Sequence, residues 1–324
     1  MSSSTSLGRV AVIAGGLSHE RDVSLASGLQ LVQSLRDLDV EASLYEFDSK
    51  LLARLRQDDV RVAYPTLHGE MGEDGTIQTV LELAGIPFVG APSKACRLAW
   101  DKASARVIME QQGVSVPEWR AFSSASFRDL GAMALLESLV AELAPPLVVK
   151  PSRGGSVLGV SGVTEATELG AALVRCYAYA ETAVIERFFD GIDVSVGVVA
   201  PGGSAPRALP AISLRYEKGH QFDFAARYSA DLLTVEAPAR LPDETATELI
   251  RVALLAHEKL GLRDVSRSDF IVNEAGRYVY LETAITPGLT RTSTFPIACK
   301  IAGSSLGEVA LELLTGALKR GSQS

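Results

Sequence analysis

The sequence predicts a layered α/β protein. Short apolar, strand-like runs alternate with helix-like segments along the chain. Glycine-rich or charged turns separate those runs, which is how stacked βα layers are punctuated. With 324 residues, 47% of them hydrophobic, the chain is long enough to bury its own core without disulfide or metal staples.

Arg9 to Ala14 reads as a buried strand, broken by Gly15-Gly16. A helix follows from about Asp22 to Leu38, then strands near Val40 to Tyr45 and Val60 to Leu67. The third strand runs into His68-Gly69-Glu70-Met71-Gly72-Glu73-Asp74-Gly75. The next helix carries Ile77, Val80, Leu81 and Leu83, and Gly85-Ile86-Pro87 closes this region. A helix from about Trp100 to Gln112 is stopped by Gly113. Leu147 to Pro151 is an apolar strand ending at Ser152-Arg153-Gly154-Gly155-Ser156, and Val157 to Val163 resumes a strand. Two strands joined by a Gly/Ser loop predict a hairpin-like flap. A helix near Glu165 to Ala180 precedes strands at Ala183 to Phe189 and Asp193 to Val199. Tyr216 to Glu236 lacks periodicity and reads as a long surface loop, of a kind that often serves as a lid. Glu244 to Leu260 is an amphipathic helix, residues 263–296 hold a hairpin and an extended segment, and a helix near Leu306 to Leu318 ends the pattern.

Composition removes several functions. A net charge of −8 argues against a nucleic-acid partner, which needs a basic surface, while leaving room for a local anion site. No apolar run reaches the roughly 18 residues of a membrane span, so no membrane partner is expected. Three widely spaced cysteines without a CxxC pair predict reduced thiols in a cytoplasmic protein, and four histidines form no metal-ligand spacing.

The most informative stretch is Arg267 to Glu282. A turn near Glu274 to Gly276 sets Asp269 opposite Glu282, with Arg267 and Ala284 on the same face. Facing carboxylates repel, and a hard divalent cation would relieve that. The face reads either as a magnesium-nucleotide site or as an exposed face of solvated charges. Lys150 ends a buried strand beside a glycine-rich turn, and Lys102 starts a helix. Both suit phosphate, although no Walker-type loop is present. Gly15-Gly16 lacks the G-x-G-x-x-G spacing of a dinucleotide fold. Ser18 and Glu20 read as helix caps, with Glu20 alternatively a partner for a substrate ammonium, and His68 lies at a strand's C-terminal end, where open α/β sheets bind ligands.

Taken in order, these motifs resemble D-alanine–D-alanine ligase, of the ATP-grasp superfamily. The resemblance runs from about residue 9 onward. Its residues are Gly15 to Ser24, His68 to Gly75, Asp101-Lys102, Val149-Lys150-Pro151 with Gly155-Ser156, Glu186 with Gly191 and Asp193, Arg227-Tyr228, Arg267 with Asp269, and Glu282 with Pro287-Gly288-Leu289-Thr290. It implies an ATP-grasp fold: a Rossmann-like parallel-sheet domain (9–104) after a leader (1–8), then two domains (105–189 and 190–324) whose antiparallel sheets sandwich ATP, with a lid at about 216–230. It implies ATP as cofactor, with Lys102 and Lys150 on the phosphates, Glu186, Arg187 and Phe189 at the adenine and Asp193 at the ribose. Asp269 and Glu282 would hold Mg²⁺, with Mn²⁺ as the alternative. Glu20 would take the ammonium of the first D-alanine, with His68 nearby. Ser156 and Tyr228 would bond across the closed lid, Arg267 and the Gly288 amide would hold the oxyanion, and Ser293 the second carboxylate. The implied activity makes D-alanyl-D-alanine for peptidoglycan precursors in a cytoplasmic homodimer.

The chain departs from that pattern at four places. Glu282-Thr283-Ala284 stands where the family has Glu-x-Asn, so one metal ligand is lost. Val157 stands for a second serine, Arg227 for lysine, and Thr294 for a common leucine near the second substrate. A ligase for D-alanine, a relative for another amino acid and a nucleotide-binding module without turnover all remain open at this stage.

Overall fold

The computed structural model describes residues 7–155, 158–216 and 233–321. Three sheets organise them. The first is parallel, in the order β2-β1-β3, from β1 (Arg9–Ala14), β2 (Ala42–Glu46) and β3 (Val60–Pro65). Its central strand is apolar from Val10 onward because both of its faces are covered there. Val10 and Val12 face Leu31 and Leu35 of the helix Arg21–Arg36 and Leu313 and Leu314 of the last helix, Leu306–Gly321. Ala11 and Ile13 face Leu55, Ile77 and Leu81 on the other side. The C-terminal helix thus completes the core of the N-terminal sheet.

The second sheet is antiparallel, in the order β4-β7-β5-β6, from β4 (Trp119–Ser123), β5 (Leu147–Pro151), β6 (Ser161–Val163) and β7 (Thr182–Arg187). Leu147, Val149 and Ile185 pack against the helices Ala132–Leu143 and Leu169–Tyr177. Side chains alternate along a strand, so Val148, Lys150 and Glu186 point the other way, into a cleft.

The third sheet is also antiparallel. It holds β8 (Ile192–Ala200), β9 (Arg207–Ala208), β10 (Ile212–Tyr216), β11 (Leu233–Glu236), β12 (Asp264–Val272) and β13 (Tyr278–Ala284). Val194, Val196 and Phe270 are buried with Leu249, Val252 and Ala256 of the helix Asp243–Lys259. Asp193, Ile271 and Glu282 face the same cleft from this side. The nucleotide-sandwich architecture expected from the resemblance is therefore present.

Several elements differ from the sequence expectation. The helix at 100–112 is two helices, Ser93–Trp100 and Lys102–Gln111, separated by an extended Asp101. Cys96, Ala99, Ala105 and Met109 pack into one cluster across the break, so apolar periodicity hides it. The strand at 157–163 shrinks to Ser161–Val163. The loop at 216–236 has strands at both ends, β10 and β11, paired antiparallel. Residues 217–232, with Arg227, Tyr228 and most of the expected lid, lie outside the described residues, as do Ser156 and Val157. Among the described residues no helix is long and apolar enough to cross a membrane, and the three cysteines are free and buried.

Candidate active site

The β12–β13 hairpin supplies the acidic face. Arg267 pairs with Ala284 and Asp269 with Glu282, the register the sequence predicts. The hairpin is not regular, however. Phe270 pairs with Tyr280, so Leu281 bulges out between the two registers. Nor do the facing carboxylates depend on an ion to coexist. Arg267 Nε and Nη2 donate to the two Asp269 oxygens at 2.8 and 2.6 Å, and Ser195 Oγ adds a bond at 2.7 Å. Glu282 takes Lys102 Nζ at 3.0 Å. Each acid has its own cation, and those cations offset the repulsion that the sequence alone assigns to an ion.

Asp101 explains how Lys102 reaches that far. Its Oδ1 accepts from Ser104 N–H and caps the helix, and Ser152 Oγ bonds the same oxygen. The Lys102 amide donates to Ser152 O, and its ammonium donates to Gly154 O at 2.6 Å. The helix start is thereby tied to the glycine-rich turn after β5. Lys150 leaves the end of β5 and meets Glu186 Oε1 at 2.6 Å, while the fully buried Arg106 holds the other Glu186 oxygen in an ion pair. Burial draws the Lys150 pKa down from 10.5 to about 8, and Arg106 pushes the same way against the pull of Glu186 and Glu282. Burial works to raise the Glu186 carboxyl, but Arg106 and Lys150 outweigh it and hold it below the usual range.

Two cavities meet here. The larger, of about 1030 Å³, lies between the second and third sheets. All six residues expected for a nucleotide line it: Lys102, Lys150, Glu186, Arg187, Phe189 and Asp193. The second is lined by Glu20, His68, Arg267, Asp269, Gly288 and Ser293, together with Ala284 and Thr294. Lys102, Gly154, Gly155, Asp193, Leu214 and Glu282 line both. A Cβ on Gly155 would meet the Glu20 carboxylate and push that side chain from its place.

Around the second cavity, Glu20 sits at the start of the helix Arg21–Arg36 but makes no side-chain cap; the Glu20 amide donates to Ser18 Oγ instead. Ser18 Oγ in turn donates to His68 O. Burial pulls the His68 pKa from 6.5 to about 4, with Arg267 pushing the same way, so the ring is neutral at pH 7. Its Nε2 meets Ser27 Oγ at 3.2 Å, and that hydroxyl also accepts from Leu289 N–H. Ser293 caps the space beside Gly288, its Oγ 2.7 Å from Thr290 Oγ1.

Two residues escape the sequence reading. Glu73 is buried in the second cavity, and burial, then Glu20, raises its pKa to about 8. It accepts Gly69 N–H within the His68 to Gly75 motif, and that motif is its only sequence signal. Arg106 follows Lys102 by one helical turn, a spacing that places both on one face.

Comparison with known proteins agrees with this geometry. The family model described as D-ala D-ala ligase C-terminus matches residues 108–315, and that described as D-ala D-ala ligase N-terminus matches residues 46–91. The D-alanine–D-alanine ligase of Anaeromyxobacter dehalogenans is 37% identical over 309 residues, 95% of this chain and 96% of that protein. The crystal structure of D-alanine–D-alanine ligase from Bacillus anthracis complexed with ATP superposes with a TM-score of 0.80 at 26% identity, covering 97% of this chain and 99% of that one. The VanG D-Ala:D-Ser ligase of Enterococcus faecalis gives 0.79 at 26% identity, over 96% and 99%. With both family models matched in order and full-length relatives above 30% identity, this chain belongs to the D-alanine–D-alanine ligase family.

Proposed function

We propose that this chain is an ATP-dependent ligase that joins two D-alanine molecules into D-alanyl-D-alanine, the building unit for peptidoglycan precursors. The observation that carries the reading is the wall common to the two cavities, formed by Lys102, Gly154, Gly155, Asp193, Leu214 and Glu282. A phosphoryl group bound at that wall is within the reach of a carboxylate in the second cavity.

Lys150 and Lys102 hold the phosphates, Glu186, Arg187 and Phe189 border the adenine, and Asp193 the ribose. Glu20 takes the ammonium of the first D-alanine. The γ-phosphoryl group passes from ATP to that substrate's carboxylate and ADP leaves. The amine of the second D-alanine, its carboxylate held by Ser293, attacks the acyl carbon. Arg267 and the Gly288 amide stabilise the oxyanion, phosphate departs and the amine gives up a proton. His68 is neutral and bonded to Ser27, so it orients groups beside the first substrate rather than carrying charge. Ser156 and Tyr228, outside the described residues, are assigned to lid closure, which keeps water from the acyl phosphate.

Asp269 and Glu282 fit a magnesium ion. They are hard oxygen donors, paired across β12 and β13, on the wall of the second cavity. Magnesium takes one or two carboxylates and completes its shell with phosphate and water, so two facing acids are enough. When bound, it would offset the charge of the transferring phosphates. Units over 9–104, 105–189 and 190–324, a cytoplasmic location and a homodimer belong to the same reading.

The test is ADP release from Mg²⁺ and ATP, with and without D-alanine, and detection of the dipeptide. Stimulation by D-alanine with D-alanyl-D-alanine as product is the expected result. Turnover only with a different second amino acid would replace the substrate assignment, and ATP binding without any turnover would end it.

A further inference from the structure

We propose that Arg106 is a positioning residue for the nucleotide: it takes up the charge of Glu186 so that the charge of Lys150 is left for the phosphates. This rests on the nucleotide reading of the larger cleft. Arg106 is 0% exposed and does not line that cavity, so it acts only through its neighbours.

Those neighbours lie on both walls of the cleft. Arg106 forms an ion pair with Glu186 on β7, and its Nε donates at 3.3 Å to the carbonyl of Leu281, the bulged residue of β13. One turn earlier on the same helix, Lys102 does the same thing in parallel. It donates to Gly154 O after β5 and pairs with Glu282 on β13. A single helix thus fastens the two sheets to each other twice, with a cation at each point.

The charge count is the second observation. Glu186 is one carboxylate shared by two buried cations, Lys150 and Arg106. Among the described residues Arg106 Nη1 is buried without a hydrogen-bond partner, and the contact of Nη2 with Glu186 is an ion pair without hydrogen-bond geometry. A buried group with surplus positive charge is unfavourable unless an anion arrives to balance it. Of the two cations, only Lys150 lines the cleft. Without Arg106, Lys150 and Glu186 would form a neutral pair and present far less attraction to phosphate.

The test compares ATP with adenosine, which shares the base and ribose and lacks the phosphates. Equilibrium binding of both is measured on the full chain as wild type, Arg106→Met and Arg106→Lys. Arg106→Met is expected to weaken ATP about tenfold or more while adenosine stays within about twofold, and Arg106→Lys to stay within about threefold of wild type for ATP, because it restores the charge. ATP affinity should also fall less steeply with salt in Arg106→Met than in wild type. Equal loss of ATP and adenosine would mean that Arg106 merely holds the cleft together, and no loss of either would mean that it does nothing for the ligand; both overturn the proposal. Should Arg106→Met fail to fold, Arg106→Gln, which keeps a donor for Leu281 O, carries the same comparison. A wild type that binds no ATP would sink the nucleotide reading itself, whereas one that binds ATP beside an unselective variant removes only the role of Arg106.

Discussion

Raising the pH from 7 to 9 should weaken ATP binding through one lysine. Lys150 is nearly buried, and burial is the largest reason its pKa falls from 10.5 to about 8. Arg106 adds to the fall, while Glu186 and Glu282 oppose it. In the proposed function the phosphates bind the protonated amine, so the bound state would have the higher pKa and binding would take up a proton. With a free-protein pKa of about 8, the protonated share falls about tenfold between pH 7 and pH 9, equivalent to about 1.4 kcal/mol of affinity. Calorimetry in two buffers of different ionisation heat should detect about half a proton taken up per ATP at pH 8. Lys102 and Glu282 also face the cleft, and Glu73, with a pKa near 8, ionises in the adjoining cavity over the same window. Lys150→Met separates these contributions. It should bind ATP about 10- to 100-fold more weakly at pH 7, the range for a lost charge-assisted bond, and lose most of the pH dependence. A flat affinity in wild type, or a pH dependence that survives unchanged in Lys150→Met, would refute the reasoning.

Glu73 gives a stability prediction of opposite sign to the usual carboxylate. Its folded pKa, about 8, lies above the ordinary 4.5, so the native state keeps a proton that the unfolded chain has released. Stability therefore falls as pH rises from the ordinary carboxylate range through about 8, and Glu73→Gln should lose less melting temperature between pH 6 and pH 9 than wild type does; parallel melting curves would contradict this. Ala284→Asn adds an oxygen donor beside Glu282 on the cavity wall, and a Mg²⁺ titration of ATP turnover should reach half-activation at a lower concentration. Leu313→Ala, at a fully buried site where the last helix meets the first sheet, should cost about 2–5 kcal/mol in urea unfolding.

Strands whose two faces are both buried were the most legible. β1 and β5 appear at the predicted residues because a run such as Leu147 to Val149 has few alternatives. The segment from Val114 to Pro146 was silent by comparison. Its strand Trp119–Ser123 is an edge of the second sheet and is only partly buried, so it carries no clean alternation. In the site, most residues within glycine-punctuated motifs were found, since a turn that exposes amides announces itself in sequence, whereas Glu73, inside such a motif, owes its role to burial beside Glu20. Arg106 was not, because a buried arginine inside a helix is written like a surface one. Only the placement of Glu186 and Leu281 on two other strands gives it meaning.

The same placement bears on how a divalent ion would be coupled to the nucleotide in the proposed function. Lys102, Lys150, Arg106 and Arg267 supply positive charge around the cleft and Glu186, Glu282, Asp269, Asp193 and Glu20 negative, while Arg187, Arg215 and Arg240 on one side of the balance and Asp190 and Glu274 on the other also line the larger cavity. These sets nearly cancel. Asp269 is engaged by Arg267 and Glu282 by Lys102, so an ion that reached them alone would compete with cations already in contact. A triphosphate changes the balance. It draws Lys102 and Lys150 toward its own oxygens and brings several negative charges into a space with none to spare. Lys102 is then shared between Glu282 and the phosphates just as the need for a further cation arises. A divalent ion that arrives on the nucleotide meets both demands at once, while Arg267 keeps Asp269 in register on the neighbouring strand. Metal affinity should therefore be weak without ATP and strong with it, and the two facing acids on β12 and β13 are the residues through which that coupling would act.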